Sequence, residues 1–184
     1  NKNMKFDNFY YSFSPKKGYR VIVLDATIDN KITATGYLPQ EQLKWLDCEL
    51  VDCQTNGQIP LIFLHHPLRE PFPSFHHRIT NASEFYDVIN SHKMPMAIFS
   101  GHYHATKIYK EGNILHVSTP SLATYPNAFR IVTVNNLKNK VVFTFDFRET
   151  NLKEVQKKAK MLTFSSSTLA GEESDQNTIV VLDK

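Results

Sequence analysis

Cysteine is scarce: the 184 residues hold two, Cys48 and Cys53. Both fall in a predicted helix, and a five-residue separation puts them about 140° apart around the helix axis, so they do not bridge each other. Two free thiols fit a reducing compartment, and the cytoplasm is the expected location. Nothing around them suggests a nucleophile or a thiolate metal site. No apolar run approaches the length of a membrane span. The start is polar, carries Lys2 and Lys5, and shows no signal-peptide pattern. The chain opens with Asn1, not Met. Charge of one sign is not in excess either. The net charge is +3 and the basic residues are scattered, too weak and diffuse for nucleic-acid binding. No internal repeat is present.

With 41% hydrophobic and 12% aromatic residues, the chain has the composition of a globular protein with a core. Phe9–Phe13 and Tyr19–Ala26 read as strands, joined by the turn chemistry of Ser14–Gly18. The segment from Gly36 to Cys53 reads as a helix with Pro39 in its first turn. Leu43, Leu46, Leu50 and Cys53 form its apolar stripe, Trp45 lies at the margin, and Asn56-Gly57 ends it. Pro60–Leu64 is the next strand, so this is a strand–helix–strand unit of the parallel kind. A loop without clear period runs from Pro67 to Ile79. A second helix starts near Thr80 or Asn81, with Phe85, Val88 and Ile89 on its face. Met96–Phe99 is a short strand. Four further strands, Lys107–Tyr109, Ile114–Val117, Phe129–Val134 and Val141–Phe147, read as an antiparallel meander. The basic stretch Leu152–Leu162 reads as a short helix. Residues 165–177 are Ser/Glu-rich and read as mobile, with Ile179–Leu182 a possible last strand. The expected division is residues 1–150 as one unit and 151–184 as a short helix and mobile tail.

Two strands end abruptly in histidine. "LIFLHHP" places His65 and His66 after Leu64, and "FSGHYH" places His102 and His104 after Gly101. Residues two apart in extended chain point the same way, so His102 and His104 can face one point. Two imidazoles converging at the C-terminal end of a strand make a natural metal site. His65 stands at the same kind of end, the edge of an α/β sheet where ligands collect. On this alternation His65 and His66 point to opposite faces and do not share an ion. Gly101 is expected to give freedom to turn and room for an ion. His92 and His116 read as hydrogen-bonded surface residues.

The order of these segments, with His-x-Pro upstream of Gly-His-x-His, resembles the C-terminal half of a calcineurin-like metallophosphoesterase, from Tyr10 to about Phe147. The resemblance implies an α/β, mixed fold: part of a two-sheet sandwich flanked by helices, with its N-terminal half missing. It implies a metal-dependent phosphomonoesterase or phosphodiesterase with two metal ions, manganese, iron or zinc. By the match His65 and His102 bind one ion and His104 the other, and His66 is not carried over. The family's earlier ligands, an Asp-x-His, a Gly-Asp-x-x-Asp and a Gly-Asn-His, do not occur. Asp25 ends a strand but lies downstream of where those motifs belong, and Asp7 and Asp29 lack the required neighbours.

The expectation is therefore a fragment with weak or no turnover alone. The missing N-terminal segment, or another chain, would complete the domain. Without it, Val21, Val23, Ile62 and Leu64 are expected to be abnormally exposed or covered by a partner. Arg69, His76, His77 and Arg78 line the loop after His65 and can meet the phosphoester substrate or its leaving portion. Tyr125, in the rim loop Thr119–Asn127, is a further candidate. Two other readings stand beside the enzyme: a non-catalytic, degenerate half-domain acting as a binding module, and a hydrolase with three histidines on a single zinc.

Overall fold

The computed structural model describes residues 9–29, 31–74 and 76–184. Lys2, Lys5 and Asp7 lie outside the described residues. A six-stranded sheet has the order β1-β2-β3-β4-β6-β5, with β1 Tyr11–Phe13, β2 Tyr19–Val23, β3 Ile59–Phe63, β4 Met96–Ser100, β5 Lys107–Glu111 and β6 Ile114–Ser118. Strands β2, β3, β4 and β6 run parallel, and the edge strands β1 and β5 run antiparallel to their neighbours. A second, antiparallel sheet has the order β7-β8-β9: Ala128–Asn136, Lys140–Glu149 and Thr178–Asp183.

The strand sequences dictate the layering. On one face of the first sheet Ile22, Ile62, Met96, Ile98 and Ile114 pack beneath helices α1, Gln40–Thr55, and α2, Ala82–Asn90. On the other face Ala97, Phe99, Leu115 and Val117 pack against Val141, Phe143, Phe145 and Leu182 of the second sheet. Alternate residues of β4 thus serve two cores, and all five are buried. That is why the strand reads as a continuous apolar run rather than an alternating one.

The stripe Leu43, Leu46, Leu50 and Cys53 is buried in α1, and Trp45 is half-buried against Tyr10 with ring centroids 4.9 Å apart. Pro39 stands at the N-cap, not inside the first turn. Asn81 precedes α2 but makes no side-chain cap hydrogen bond. Its amide instead brackets Leu38: Oδ1 accepts from the Leu38 amide at 3.0 Å, and Nδ2 donates to the Leu38 carbonyl at 2.8 Å. Asn81 thereby ties the entry of α1 to the entry of α2. Both cysteines are free, and burial pushes the Cys53 thiol up to about 12.

Two expectations change. The strands after the histidine motif do not form one meander. β5 and β6 form a hairpin that extends the first sheet, because β6 returns parallel to β4, while β7, β8 and β9 build the second. Period-two patterning marks a strand but does not choose its partner. Residues 165–177 contain two short helices, Ser166–Ala170 and Glu173–Gln176, and the strand after them pairs with β8. Asp175 anchors this stretch. It is buried, its carboxylate accepts from Lys107 Nζ at 2.8 Å and from the Ile108 amide at 3.0 Å, and its carbonyl accepts from Arg130.

The sheets meet closely at one side and part at the other. Tyr19 donates its hydroxyl to the Val134 carbonyl at 2.9 Å and accepts the Asn136 amide at 2.9 Å. Beyond that stitch a cleft of about 710 Å³ opens between the sheets. Val23, Leu61, Phe63 and Phe99 line one wall, and Ala128, Val132 and Val134 the other. Of the four residues expected to report on completeness, Ile62 and Leu64 are buried on the helix side, while Val21 and Val23 are half-buried. Phe63, on the cleft side, is 38% exposed. Among the described residues no helix is long and apolar enough to cross a membrane.

Candidate metal centre

Adjacent parallel strands β3 and β4 deliver the histidines to one edge. β3 ends at Phe63 and Leu64 still donates to the Phe99 carbonyl at 3.1 Å, so the ladder runs one residue past the strand. The chain then bends. The His65 carbonyl accepts two amides, Gly101 at 3.1 Å and His102 at 2.9 Å. That pair of hydrogen bonds fixes the two motifs to each other at the backbone. The side chains follow: His65 Nε2 and His102 Nδ1 stand 2.8 Å apart, with ring centroids at 4.7 Å.

His104 reaches the same edge by a different route from the extended one expected. Residues 102–103 form a turn, and His104 has φ of 53°, the left-handed region. Its amide bonds back to the Gly101 carbonyl at 3.0 Å, and its Nδ1 lies 3.0 Å from the Thr124 hydroxyl in the rim loop. His104 is close enough to His65 to act on its charge, but its side chain is held toward the rim.

Two further imidazoles join the group. The His66 ring centroid lies 4.4 Å from that of His102 and 5.3 Å from that of His65. Strand alternation does not separate His65 from His66 because neither is in a strand; both lie in the bend after β3. His66 is buried, with Nε2 facing the Ala34 carbonyl at 3.1 Å. The glycine that makes room here is Gly36, not Gly101. A Cβ on Gly36 would stand 2.8 Å from His66 Cγ, whereas one on Gly101 would meet nothing nearer than the Thr119 hydroxyl at 3.6 Å. His77 is the other addition, with its ring 5.1 Å from that of His102.

The electrostatics of the group disfavour protonation. Burial, then the neighbouring rings of His66, His65 and His77, push His102 down to about 4. Burial and then His104 lower His65; burial and then His65 lower His66. All three are therefore neutral bases at neutral pH, the form that binds a metal. Of the groups acting on these rings, Asp25 alone is a carboxylate, and its Oδ1 accepts from the Thr27 amide at 2.9 Å.

The other expected contacts disperse. Arg69 pairs with Glu111 at 3.1 Å and lies over the Tyr109 ring at 4.6 Å, drawn toward edge strand β5. Tyr125 is buried. His76 and Arg78 are exposed. Tyr103, which the sequence reading passed over, is buried between His102 and His104. Burial, with Glu70 nearby, pushes its hydroxyl up to about 12. Its place as the middle residue of Gly-His-x-His was the available signal.

As a ligand set the group is partial. Among the described residues no three His, Cys, Asp or Glu side chains are arranged to hold one ion. His65 Nε2 and His102 Nδ1 are hydrogen-bonded to each other at 2.8 Å, and among the described residues no carboxylate joins them there.

No family model and no curated protein matches the chain. Among solved structures it is similar to a dimetal phosphatase from Danio rerio, with a TM-score of 0.60 at 18% identity, covering 73% of this chain and 56% of that one. The fold is similar to that of a dimetal phosphatase. The chain spans about 56% of that phosphatase's length. A Vps29 single mutant from Entamoeba histolytica aligns over 89% of this chain and 98% of its own, at 11% identity and a TM-score of 0.30.

Proposed function

We propose that this chain carries the imidazole half of a dinuclear-metal phosphoesterase centre. The observation that carries the reading is the 2.8 Å approach of His65 Nε2 to His102 Nδ1 at the C-terminal edge of adjacent parallel strands, in a fold similar to that of a dimetal phosphatase. His65 and His102 would hold one ion and His104 a second. Manganese, iron and zinc all suit imidazole, and a phosphomonoester or phosphodiester is the substrate.

The carboxylates that such a centre needs would come from an extended polypeptide segment seated in the cleft between the sheets. Three features support that occupant. The cleft walls are apolar, its lining reaches His65 and Gly101, and among the described residues β7 has no partner on its outer edge. Charge agrees as well. Arg130 lines the cleft with its guanidinium bonded to the Ser118 and Asp175 carbonyls, its Nε–H without a partner, and no carboxylate in the lining. A half-buried cation lining the cleft suits an acidic side chain on whatever fills it.

The partial ligand set favours a second reading, a binding module without turnover. One experiment separates them from the first. Zn²⁺ or Mn²⁺ is titrated into the 184-residue chain while the histidine ring resonances are followed by NMR, and bis(p-nitrophenyl) phosphate hydrolysis is measured alongside. The enzyme-half reading expects the ion to shift His65 and His102 together, with hydrolysis at or near background. Rings unmoved by either ion leave only the module. Robust hydrolysis abolished by His102→Ala shows that the chain's own residues complete the centre.

A further inference from the structure

Among the described residues of the loop after His65, His77 is the one whose ring stands against that of His102, with centroids 5.1 Å apart. Arg69 is committed to Glu111, and the loop between them crosses edge strand β5, where the Pro71 carbonyl accepts the Tyr109 hydroxyl at 3.2 Å. His77 Nδ1 lies 2.6 Å from the Ser74 hydroxyl. With that hydroxyl donating to Nδ1, the proton of the neutral ring is on Nε2. His77 is exposed, and its ring stands beside that of His102 at the edge where His65 and His102 meet.

The loop that presents His77 is fixed to the Gly-His-x-His motif itself. Tyr103 donates its hydroxyl to the Ser74 carbonyl at 3.4 Å. Its ring meets the edge of Phe72 at 5.0 Å and lies 5.8 Å from the ring of His77. The Ser74 amide donates to Glu70 at 3.1 Å. Ser74 is therefore held on both sides, by Tyr103 at its carbonyl and by Glu70 at its amide, while its hydroxyl sets the ring of His77. Ser74, held this way, does not have to be ordered by a ligand.

We propose that His77 is a substrate-contacting residue whose Nε2–H donates to a phosphoryl oxygen seated over His65 and His102, with Ser74 and Tyr103 as its positioning residues. The proposal rests on the phosphoesterase reading and adds to it the side chain that takes the phosphate. It also assigns a task to the middle residue of the motif: Tyr103 couples the histidine edge to the loop that reads the substrate.

The test uses the full chain, Zn²⁺ and inorganic phosphate, with calorimetry for both and ring-nitrogen NMR for His77. The expected result is that His77→Ala keeps zinc affinity within about twofold and weakens phosphate roughly tenfold or more, the weight of one hydrogen bond to a charged oxygen. His77→Gln, which restores a donor near the Nε2 position, recovers much of the loss. Ser74→Ala gives a smaller loss, and phosphate shifts the wild-type His77 Nε2–H signal. Equal phosphate affinity in wild type and His77→Ala overturns the proposal and leaves the phosphoesterase reading standing. Loss of zinc in His77→Ala overturns it by making the ring a ligand. If the wild type takes up no zinc at His65 and His102, the underlying reading falls and the proposal with it.

Discussion

His65 meets His102 twice: its carbonyl accepts the His102 amide at 2.9 Å, and its Nε2 stands 2.8 Å from His102 Nδ1. The backbone contact sets the side-chain contact, so the two rings form a pair before any ion arrives. Either ring alone lacks that geometry. Removing one imidazole should therefore cost the chain most of its affinity for Zn²⁺, by about tenfold or more, since even outer partners of metal ligands are worth that much. His65→Ala and His102→Ala should lose similar amounts, and the double variant little more. Calorimetric titration checks this, and an unchanged affinity in His65→Ala would count against the pair.

Gly36 is the tight point under the cluster. A Cβ there would lie 2.8 Å from His66 Cγ, 2.9 Å from Nδ1 and 3.1 Å from the Cβ of Ala26. Gly36→Ala should destabilise the chain by about 1–3 kcal/mol through overpacking. It should also displace the His66 ring from His102. Denaturant unfolding gives the first quantity and ring chemical shifts the second.

His116 sets a pH dependence. It is buried in β6 on the helix side, neither ring nitrogen has a hydrogen-bond partner, and burial pushes it down to about 4. The unfolded chain takes up this proton near the ordinary value of 6.5, before the folded chain does. Stability from this group is therefore complete above about pH 6.5 and is lost as pH falls toward 4, by roughly 3 kcal/mol in all. His116→Leu removes the buried imidazole, whose Nε2 lies 3.5 Å from the Glu111 carboxylate, and should flatten that part of the stability–pH curve. An unchanged curve would place the acid sensitivity elsewhere.

Asp175 holds the stretch before β9. Its buried carboxylate pairs with Lys107 and takes the amides of Ile108 at 3.0 Å and Glu172 at 3.1 Å. Asp175→Ala leaves a half-buried ammonium and two amides without their acceptor, at a cost of about 2–3 kcal/mol once the partial exposure of Lys107 is allowed for. Limited proteolysis should then cut residues 165–177 faster than in the wild type.

The strand ends bearing His65 and His102 were legible because an apolar run that stops at an imidazole has few structural explanations. The parallel strand–helix–strand unit was legible in the same runs, whereas the two-sheet layering flanked by helices came from the family resemblance. The places of His66, His77 and Gly36 were not legible. His66 joins the cluster through a bend that no local pattern announces. His77 joins because Tyr103 and Glu70 hold its loop, and Gly36 matters only because His66 approaches it from 30 positions away. The position of β5 and β6 was misread for a related reason: a β-branched, alternating segment declares itself a strand, but its neighbour is chosen by the crossover. Composition likewise made residues 165–177 look unstructured, because one buried aspartate does not outweigh a run of serines and glutamates in any local average.

The stitch at Tyr19 bears on the order of folding. It joins residues 115 and 117 positions apart, and Asn136 adds a third bond, Nδ2 to the Gly18 carbonyl, across 118 positions. Contacts so remote in sequence close large loops and are made late. The parallel sheet with its two helices can collect from nearer neighbours, so the second sheet should dock onto it as a separate, slower event. Until it does, the apolar face of β4 and β6 stays open to water, and that interval is when the chain is most exposed to aggregation.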